Sequence, residues 1–371
     1  MDEGKIKVLN ILPVLGQPRI AKRITMLKAV GFDVSAVAFE RDYHKGRLPD
    51  CEISLLGKMA HGKFLRRVLK ILFVLPKLRS KIKHHTIIYA FGSDMAYMAV
   101  IASLGLRKKV VLEIGDIREI QVKKGFVGKT VRAIDTFFLK RCSLLVSTSH
   151  AFVQEYYRNF LGSNIKSLVL ENKQEENYSV RPLKLEDNKI TIGYFGLLRC
   201  EWSWGVLKRL ALESPNKYRI VVAGYPIKPE SIAFEAKDIE NITYLGEYKS
   251  PDDLPSLYGR VNIVWACYPF PKPTEMNWKW ARTNRYYESL CYKKPMISLE
   301  NSGDSSYVED YKIGLTIPLD SLENAILCLK NLSLENINQW TENVINLPEE
   351  YYIYTNERHN LKNSIIEILN Q

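Results

Sequence analysis

Strand-like and helix-like segments alternate along this chain in two successive runs, separated by a polar, proline-containing stretch. This predicts an α/β protein of two doubly wound parallel-sheet domains. Three observations carry the prediction. Short aliphatic and β-branched runs recur in both halves, segments with a 3.6-residue apolar period lie between them, and a chain of 371 residues is too long for one ordinary domain. Hydrophobic residues at 46% and charged residues at 25% suffice for two full cores.

The first run opens with Lys7 to Pro13 (KVLNILP) as a buried strand, Arg19 to Val30 as a helix and Asp33 to Phe39 (DVSAVAF) as a second strand. It continues with a strand over Thr86 to Ala90, a helix near Met95 to Leu104, a strand over Val110 to Leu112, a helix over Val131 to Lys140 and a strand over Leu144 to Thr148. Residues 1–180 are therefore expected to form the first domain, and RPLKLEDN within 181–189 reads as a linker. The second domain, 190–345, has strands over Ile190 to Phe195, Tyr218 to Ala223, Ile242 to Leu245 and Ile263 to Trp265. Helices are expected near Gly205 to Leu212 and over Leu254 to Tyr258. A helical tail fills 346–371, chiefly Asn356 to Leu369.

Charge is unevenly spread. Residues 1–180 hold 31 Lys and Arg against 16 Asp and Glu, while the remainder holds 22 against 25. The run from Gly57 to His85 contains no acid, and on a helical wheel Phe64, Val68, Ile71, Leu72 and Leu75 share one face. Lys63 precedes them, and Arg66, Arg67 and Lys70 lie elsewhere on the wheel. Such a helix can lie on an anionic membrane surface, or pack its apolar face on the core and leave its cations in water. No zinc-finger, helix-turn-helix or RNA-binding aromatic signature accompanies the charge, so a nucleic-acid partner is not expected.

The six cysteines are scattered without a C-x-x-C pair, which fits a reducing cytoplasm. No apolar run approaches the roughly 18 residues of a membrane span, and no signal peptide is expected. The histidines show no H-E-x-x-H spacing and no D-x-D occurs, so no metal site is expected. Neither half carries G-x-G-x-x-G, a P-loop or a serine nucleophile elbow.

Residues 282–318 are the most informative. Thr283 or Asn284 can cap a helix whose apolar face is Tyr286, Tyr287 and Leu290, Pro295 stops it, and Met296 to Leu299 follow as a buried strand. Glu288 sits on that helix, and Gly303 opens a loop at the carboxyl end of the strand, where open α/β sheets bind ligands. The sequence Asn284-Arg285-Tyr286-Tyr287-Glu288 followed by Lys294-Pro295-Met296-Ile297 resembles the nucleotide-binding signature of GT-B glycosyltransferases of the large, mostly retaining group 1 (family 4) type. That resemblance implies two Rossmann-like domains facing a central cleft, with Glu288 accepting hydrogen bonds from the donor's ribose hydroxyls.

It extends to other loops. Gly16, ahead of Gln17-Pro18-Arg19-Ile20, resembles the family's first cleft loop, and Leu112-Glu113-Ile114-Gly115-Asp116 resembles an acceptor-side loop. The family often has a His there; this chain offers Asp116, which can orient or deprotonate an acceptor hydroxyl, or cap a helix or pair with Arg118. Tyr194-Phe195-Gly196-Leu197-Leu198-Arg199 resembles the glycine loop under the nucleotide diphosphate, with Arg199 as the cation that meets the leaving group. The family's further Lys is absent from Glu201 to Gly205, leaving Arg282 or Arg285 as second cation. Gly224, and Tyr248 after Gly246, resemble the loops around the base. The first glutamate of the family's Glu-x7-Glu pattern is missing, since Trp280 stands there.

The resemblance implies a glycosyltransferase that moves a sugar from a nucleoside-diphosphate sugar to a lipid-linked glycan acceptor in surface-polysaccharide assembly, without cofactor or metal, on the inner face of the plasma membrane. A nucleotide-sugar epimerase of the same fold, or a non-catalytic membrane- or polyanion-binding module, is the alternative.

Overall fold

The computed structural model describes residues 5–40, 48–58, 64–175, 188–268 and 276–371, with the side chains of 58 and 64–72 outside that description. The chain divides into two compact units, Met1–Asn172 with Thr355–Gln371, and Lys173–Tyr354. Most of the linker expected over 181–189 lies outside the described residues.

Unit 1 is a seven-stranded parallel sheet. Its elements are β1 (Lys7–Leu12), α1 (Pro18–Ala29), β2 (Asp33–Glu40), β3 (Glu52–Lys58), α2 (Phe64–Lys83), β4 (Ile87–Phe91), α3 (Ser93–Ala102), β5 (Lys109–Ile114), α4 (Glu119–Val122), α5 (Gly125–Leu139), β6 (Leu144–Ser147), a π-type helix (Phe152–Phe160) and β7 (Ser167–Val169). The strand order β3-β2-β1-β4-β5-β6-β7 places β1 between β2 and β4, so connections leave β1 in opposite directions and a crevice opens at the carboxyl ends of β1 and β4. Near-continuous apolar runs such as IIYAF in β4, wholly buried, are what a sheet covered on both faces requires. On one side α3 packs on β4 and β5 and touches both α2 and α5.

Unit 2 is a six-stranded parallel sheet. It contains β8 (Ile190–Leu198), α6 (Glu201–Glu213), β9 (Tyr218–Pro226), α7 (Ile232–Glu235), β10 (Ile242–Tyr244), α8 (Leu254–Gly259), β11 (Ile263–Trp265), α9 (Met276–Trp280), α10 (Asn284–Cys291), β12 (Met296–Leu299), α11 (Ser305–Asp310), β13 (Gly314–Ile317), α12 (Leu322–Lys330) and α13 (Leu334–Asn346). The order β10-β9-β8-β11-β12-β13 makes β8/β11 the switch point. The final helix α14 (Glu357–Leu369) belongs to unit 1, where it packs on α1, β6 and β7.

Three strands were not legible in the sequence: β3, β7 and β13. All are sheet edges paired on one side only, so their residues alternate weakly and carry Ser, Thr or Gly. Helix α5 starts at Gly125, well before the expected Val131, because Gly125 and Gly128 dilute its helical signal. Gly128 is required there: a Cβ would lie 1.7 Å from the Lys123 carbonyl oxygen. Of the apolar face read on α2, the side chains of Phe64, Val68, Ile71 and Leu72 lie outside the description, and Leu75 is half-buried. Leu78 and Ile82, which continue that face, are fully buried in the core, whereas Phe73 on the opposite arc is 83% exposed.

The heart of unit 1 is a buried carboxylate. Glu113 on β5 is inaccessible to solvent; Arg23 Nε donates to its Oε2 at 2.8 Å and the Tyr89 hydroxyl donates to the same oxygen at 2.6 Å. Burial, and then the neighbouring carboxylate, hold the Tyr89 hydroxyl well above the phenolic range. Glu113 therefore ties α1, β4 and β5 together. Replacing Glu113 by Gln leaves the Arg23 guanidinium buried without its counter-charge, and the expected loss is about 3 to 5 kcal/mol in the urea unfolding of unit 1.

Candidate functional site

The unit 2 switch point is built from two glycines and one arginine. Gly196, in β8 with φ 112°, faces Gly224 of β9 in register. A Cβ on Gly224 would lie 1.8 Å from the Gly196 carbonyl oxygen, and one on Gly196 would lie 2.6 Å from Nη1 of Arg285. Only glycine lets both the neighbouring strand and the guanidinium come this close. Gly224, expected in a loop beside the base, is instead inside β9, its N–H donating to the Gly246 carbonyl and its own carbonyl accepting from the Tyr244 hydroxyl.

Helix α10 positions the charges. Thr283 caps it, accepting the Tyr286 N–H at 3.3 Å, and the Thr283 N–H and hydroxyl donate to Asp304 at 3.1 and 2.6 Å. The loop behind Asp304 is close to α9: a Cβ on Gly303 would meet the Ala281 carbonyl oxygen at 2.1 Å. Asn284 is exposed at the first position of the helix. One turn on, Tyr286, Tyr287 and Leu290 are buried as their periodicity predicts.

Arg285 and Glu288 form the centre. Arg285 Nη1 donates to the Phe195 carbonyl at 2.7 Å and to the Tyr248 hydroxyl at 3.2 Å, and Nη2 donates to Glu288 Oε1 at 3.2 Å. Its Nε lies 2.9 Å from Glu288 Oε2, an ion contact, and the Tyr258 hydroxyl donates to that oxygen at 2.7 Å. Burial opposes the charge on Arg285, but the Glu288 carboxylate outweighs it and holds the guanidinium well above its ordinary value. Burial, reinforced by Glu288, likewise pushes the Tyr258 hydroxyl well up. Arg285, expected as a second cation for a diphosphate, is thus committed to holding Glu288 and the β8 backbone before Gly196. A carboxylate has about four acceptor directions, so Glu288 keeps capacity for a ligand diol.

Arg199, just beyond β8, is exposed, and its guanidinium lies over the Trp278 ring at 4.4 Å from the centroid. Trp278 in turn stacks on Tyr268, with ring centroids 5.0 Å apart and planes at 15°. This cation and ring stack was invisible in the sequence; Arg199 is oriented by α9. Arg282 sits over the Tyr307 ring, 3.3 Å from its centroid. Glu201 to Gly205, which lack the family's further lysine, form the start of α6.

Gly16 and Asp116 lie in unit 1. Gly16 has φ 82° in the loop between β1 and α1, a conformation that favours glycine. Asp116 is exposed after β5, and Arg118, its expected salt-bridge partner, pairs with Asp94 at 3.0 Å. Beside it Gly115 makes room for Arg19, since a Cβ there would fall 0.8 Å from the guanidinium Nη1. Lys63 lies outside the described residues, as do the side chains of Arg66, Arg67 and Lys70 on α2. Among the described residues no group of three or more His, Cys, Asp or Glu is placed to hold a metal ion, and no helix is long and apolar enough to cross a membrane.

No family profile matches the chain. It is 26% identical over 344 residues to the succinoglycan biosynthesis protein ExoL of Rhizobium meliloti (strain 1021), spanning 88% of this chain and 85% of that protein. Its structure is similar to Anabaena Alr3699/HepE in complex with UDP, with a TM-score of 0.74 at 15% identity over 98% of this chain and 100% of the other. It is also similar to the lipopolysaccharide outer core galactosyltransferase WaaB in its apo form, with a TM-score of 0.67 at 12% identity over 98% and 99% of the two chains. The chain has the GT-B glycosyltransferase fold. The resemblance read from Asn284 to Glu288 is borne out at that level, and the Arg285 and Glu288 pair lies at the switch point of the second GT-B unit.

Replacing Arg285 by Lys is expected to fail as a conservative change. An ammonium cannot bond the Phe195 carbonyl, the Tyr248 hydroxyl and both Glu288 oxygens together. Unfolding of unit 2 should show a loss of about 3 kcal/mol, comparable with breaking a buried pair outright.

Proposed function

We propose that this chain is a glycosyltransferase that moves a sugar from a nucleoside-diphosphate sugar to a hydroxyl of a lipid-linked glycan in surface-polysaccharide assembly. The observation that carries the reading is Glu288, a buried carboxylate held by Arg285 and Tyr258 at the β8/β11 switch point. Such a carboxylate suits a ribose diol, which offers two hydroxyl donors to its two oxygens. Supporting it, Anabaena HepE of the same fold has been solved with UDP and with UDP-glucose. The similarity to ExoL, a succinoglycan biosynthesis protein, supports the polysaccharide setting.

In this reading Gly196, within β8, lets backbone approach the diphosphate, and Arg199 just beyond the strand stabilises the charge that grows on it as the sugar leaves. Transfer proceeds without a metal ion and with retention, the departing phosphate assisting the hydroxyl on the same face. Asp116 orients the acceptor hydroxyl. The acceptor's lipid places the protein on the inner face of the plasma membrane, to which the cations Lys63, Arg66, Arg67 and Lys70 are attracted.

A panel of UDP-sugars and other nucleoside-diphosphate sugars, incubated with a lipid-linked acceptor and with EDTA, should yield one donor that releases nucleoside diphosphate. Glycosyl product should appear in equal amount. Sugar isomerisation without transfer would identify an epimerase, and release from no donor would identify a binding module. With that donor, Glu288→Ala should weaken nucleoside-diphosphate affinity by about 1.5 to 3 kcal/mol in calorimetry. Arg199→Ala should lower kcat by about tenfold or more while leaving KM nearly unchanged.

A further inference from the structure

Helix α5 turns an apolar face outward. Phe126 is 84% exposed, Phe137 and Val127 are each 51% exposed, and Ile134 is 42% exposed. At 3.6 residues per turn these four fall within an arc of about 100°, opposite buried Gly128, Asp135 and Leu139. A surface helix of a protein that stays in water places such residues inward, so this face is built to be covered.

The charges around it decide what covers it. Lys123, Lys124, Lys129, Lys140 and Arg141 are all exposed at the ends and flank of the helix, and Arg141 lies over the Phe137 ring at 3.8 Å. The acid of α5, Asp135, is buried and accepts hydrogen bonds from Gln121 and from the Tyr97 and Tyr156 hydroxyls. Next to α5 lies α3, and beside α3 lies α2, whose Phe73 is exposed. Apolar side chains ringed by cations complement a bilayer with anionic headgroups, whereas the same ring of cations would repel a second copy of itself.

We infer that α5 is an interfacial helix that seats Phe126 and Phe137 in an anionic membrane surface, with Lys123, Lys124 and Lys129 on the headgroups. The inference deepens the membrane-facing reading given above and rests on it. It adds an apolar anchor on α5 to the cations expected on α2.

The test is co-sedimentation with phosphatidylethanolamine and phosphatidylglycerol vesicles, against phosphatidylcholine vesicles as the uncharged control. Wild type should bind the anionic vesicles, and the Phe126→Ser, Phe137→Ser variant should bind about tenfold or more weakly, because two aromatic side chains no longer enter the interface. Both residues are exposed, so melting temperature and UDP affinity should stay as in wild type and certify the fold. The Arg66→Glu, Arg67→Glu, Lys70→Glu variant runs in parallel. If it releases the protein while the phenylalanine variant binds normally, the α5 inference is overturned and the membrane reading survives. If wild type binds no anionic vesicles, both are overturned. A wild-type dimer in analytical ultracentrifugation that the phenylalanine variant converts to monomer, with vesicle binding unchanged, would make α5 an interface between copies and also overturn it.

Discussion

One buried cation holds the candidate site together. Arg285 reaches from α10 to the Phe195 carbonyl, to the Tyr248 hydroxyl and to Glu288, so a strand end, a loop and a helix are fixed by a single guanidinium. Burying that charge is costly, and the neighbouring carboxylate is what makes it tolerable. The glycines follow from it. Gly196 lacks a side chain because Arg285 occupies the space, and Gly224 lacks one because the Gly196 carbonyl does. Glu288 is thereby held in one orientation, with its carboxylate prepared before any ligand arrives, which reduces the ordering cost of binding.

Unit 1 solves a similar problem differently. Glu113 is neutralised by Arg23 inside the protein, and Arg19 is laid over Gly115 with its Nε 3.9 Å from Glu113 Oε1. Each unit sets an arginine and a buried carboxylate beside a glycine, Arg285 and Glu288 by Gly196 in unit 2, and Arg19 and Glu113 by Gly115 in unit 1.

The sheet centres and α10 were legible because buried parallel strands are nearly all apolar and because Thr283, the tyrosines and Pro295 mark a capped, amphipathic helix with a stop. The edge strands β3, β7 and β13 were not, since one-sided pairing relaxes their composition, whereas the edge strand β10 was. Glu288 was found through the resemblance of Asn284 to Glu288, with Lys294 to Ile297, to the GT-B signature, and its partner Tyr258 could not be, lying 30 residues away on another element. Arg285 was read as a phosphate cation because sequence shows a charge but not its burial. Trp278 over Arg199 was hidden for the same reason: a cation and a ring meet only once α9 is folded against the end of β8. The basic run before His85 marks α2, yet an arc of four exposed apolar residues sits on α5, where only the burial pattern reveals which side faces water.

The most direct measurement is a crystal structure of the chain with UDP. The account predicts both ribose hydroxyls within hydrogen-bond distance of the Glu288 carboxylate, with Arg285 and Tyr258 still in place behind it and the β-phosphate beside Arg199. A nucleotide bound with its ribose away from Glu288, or a Glu288 carboxylate still closed to it, would contradict the account.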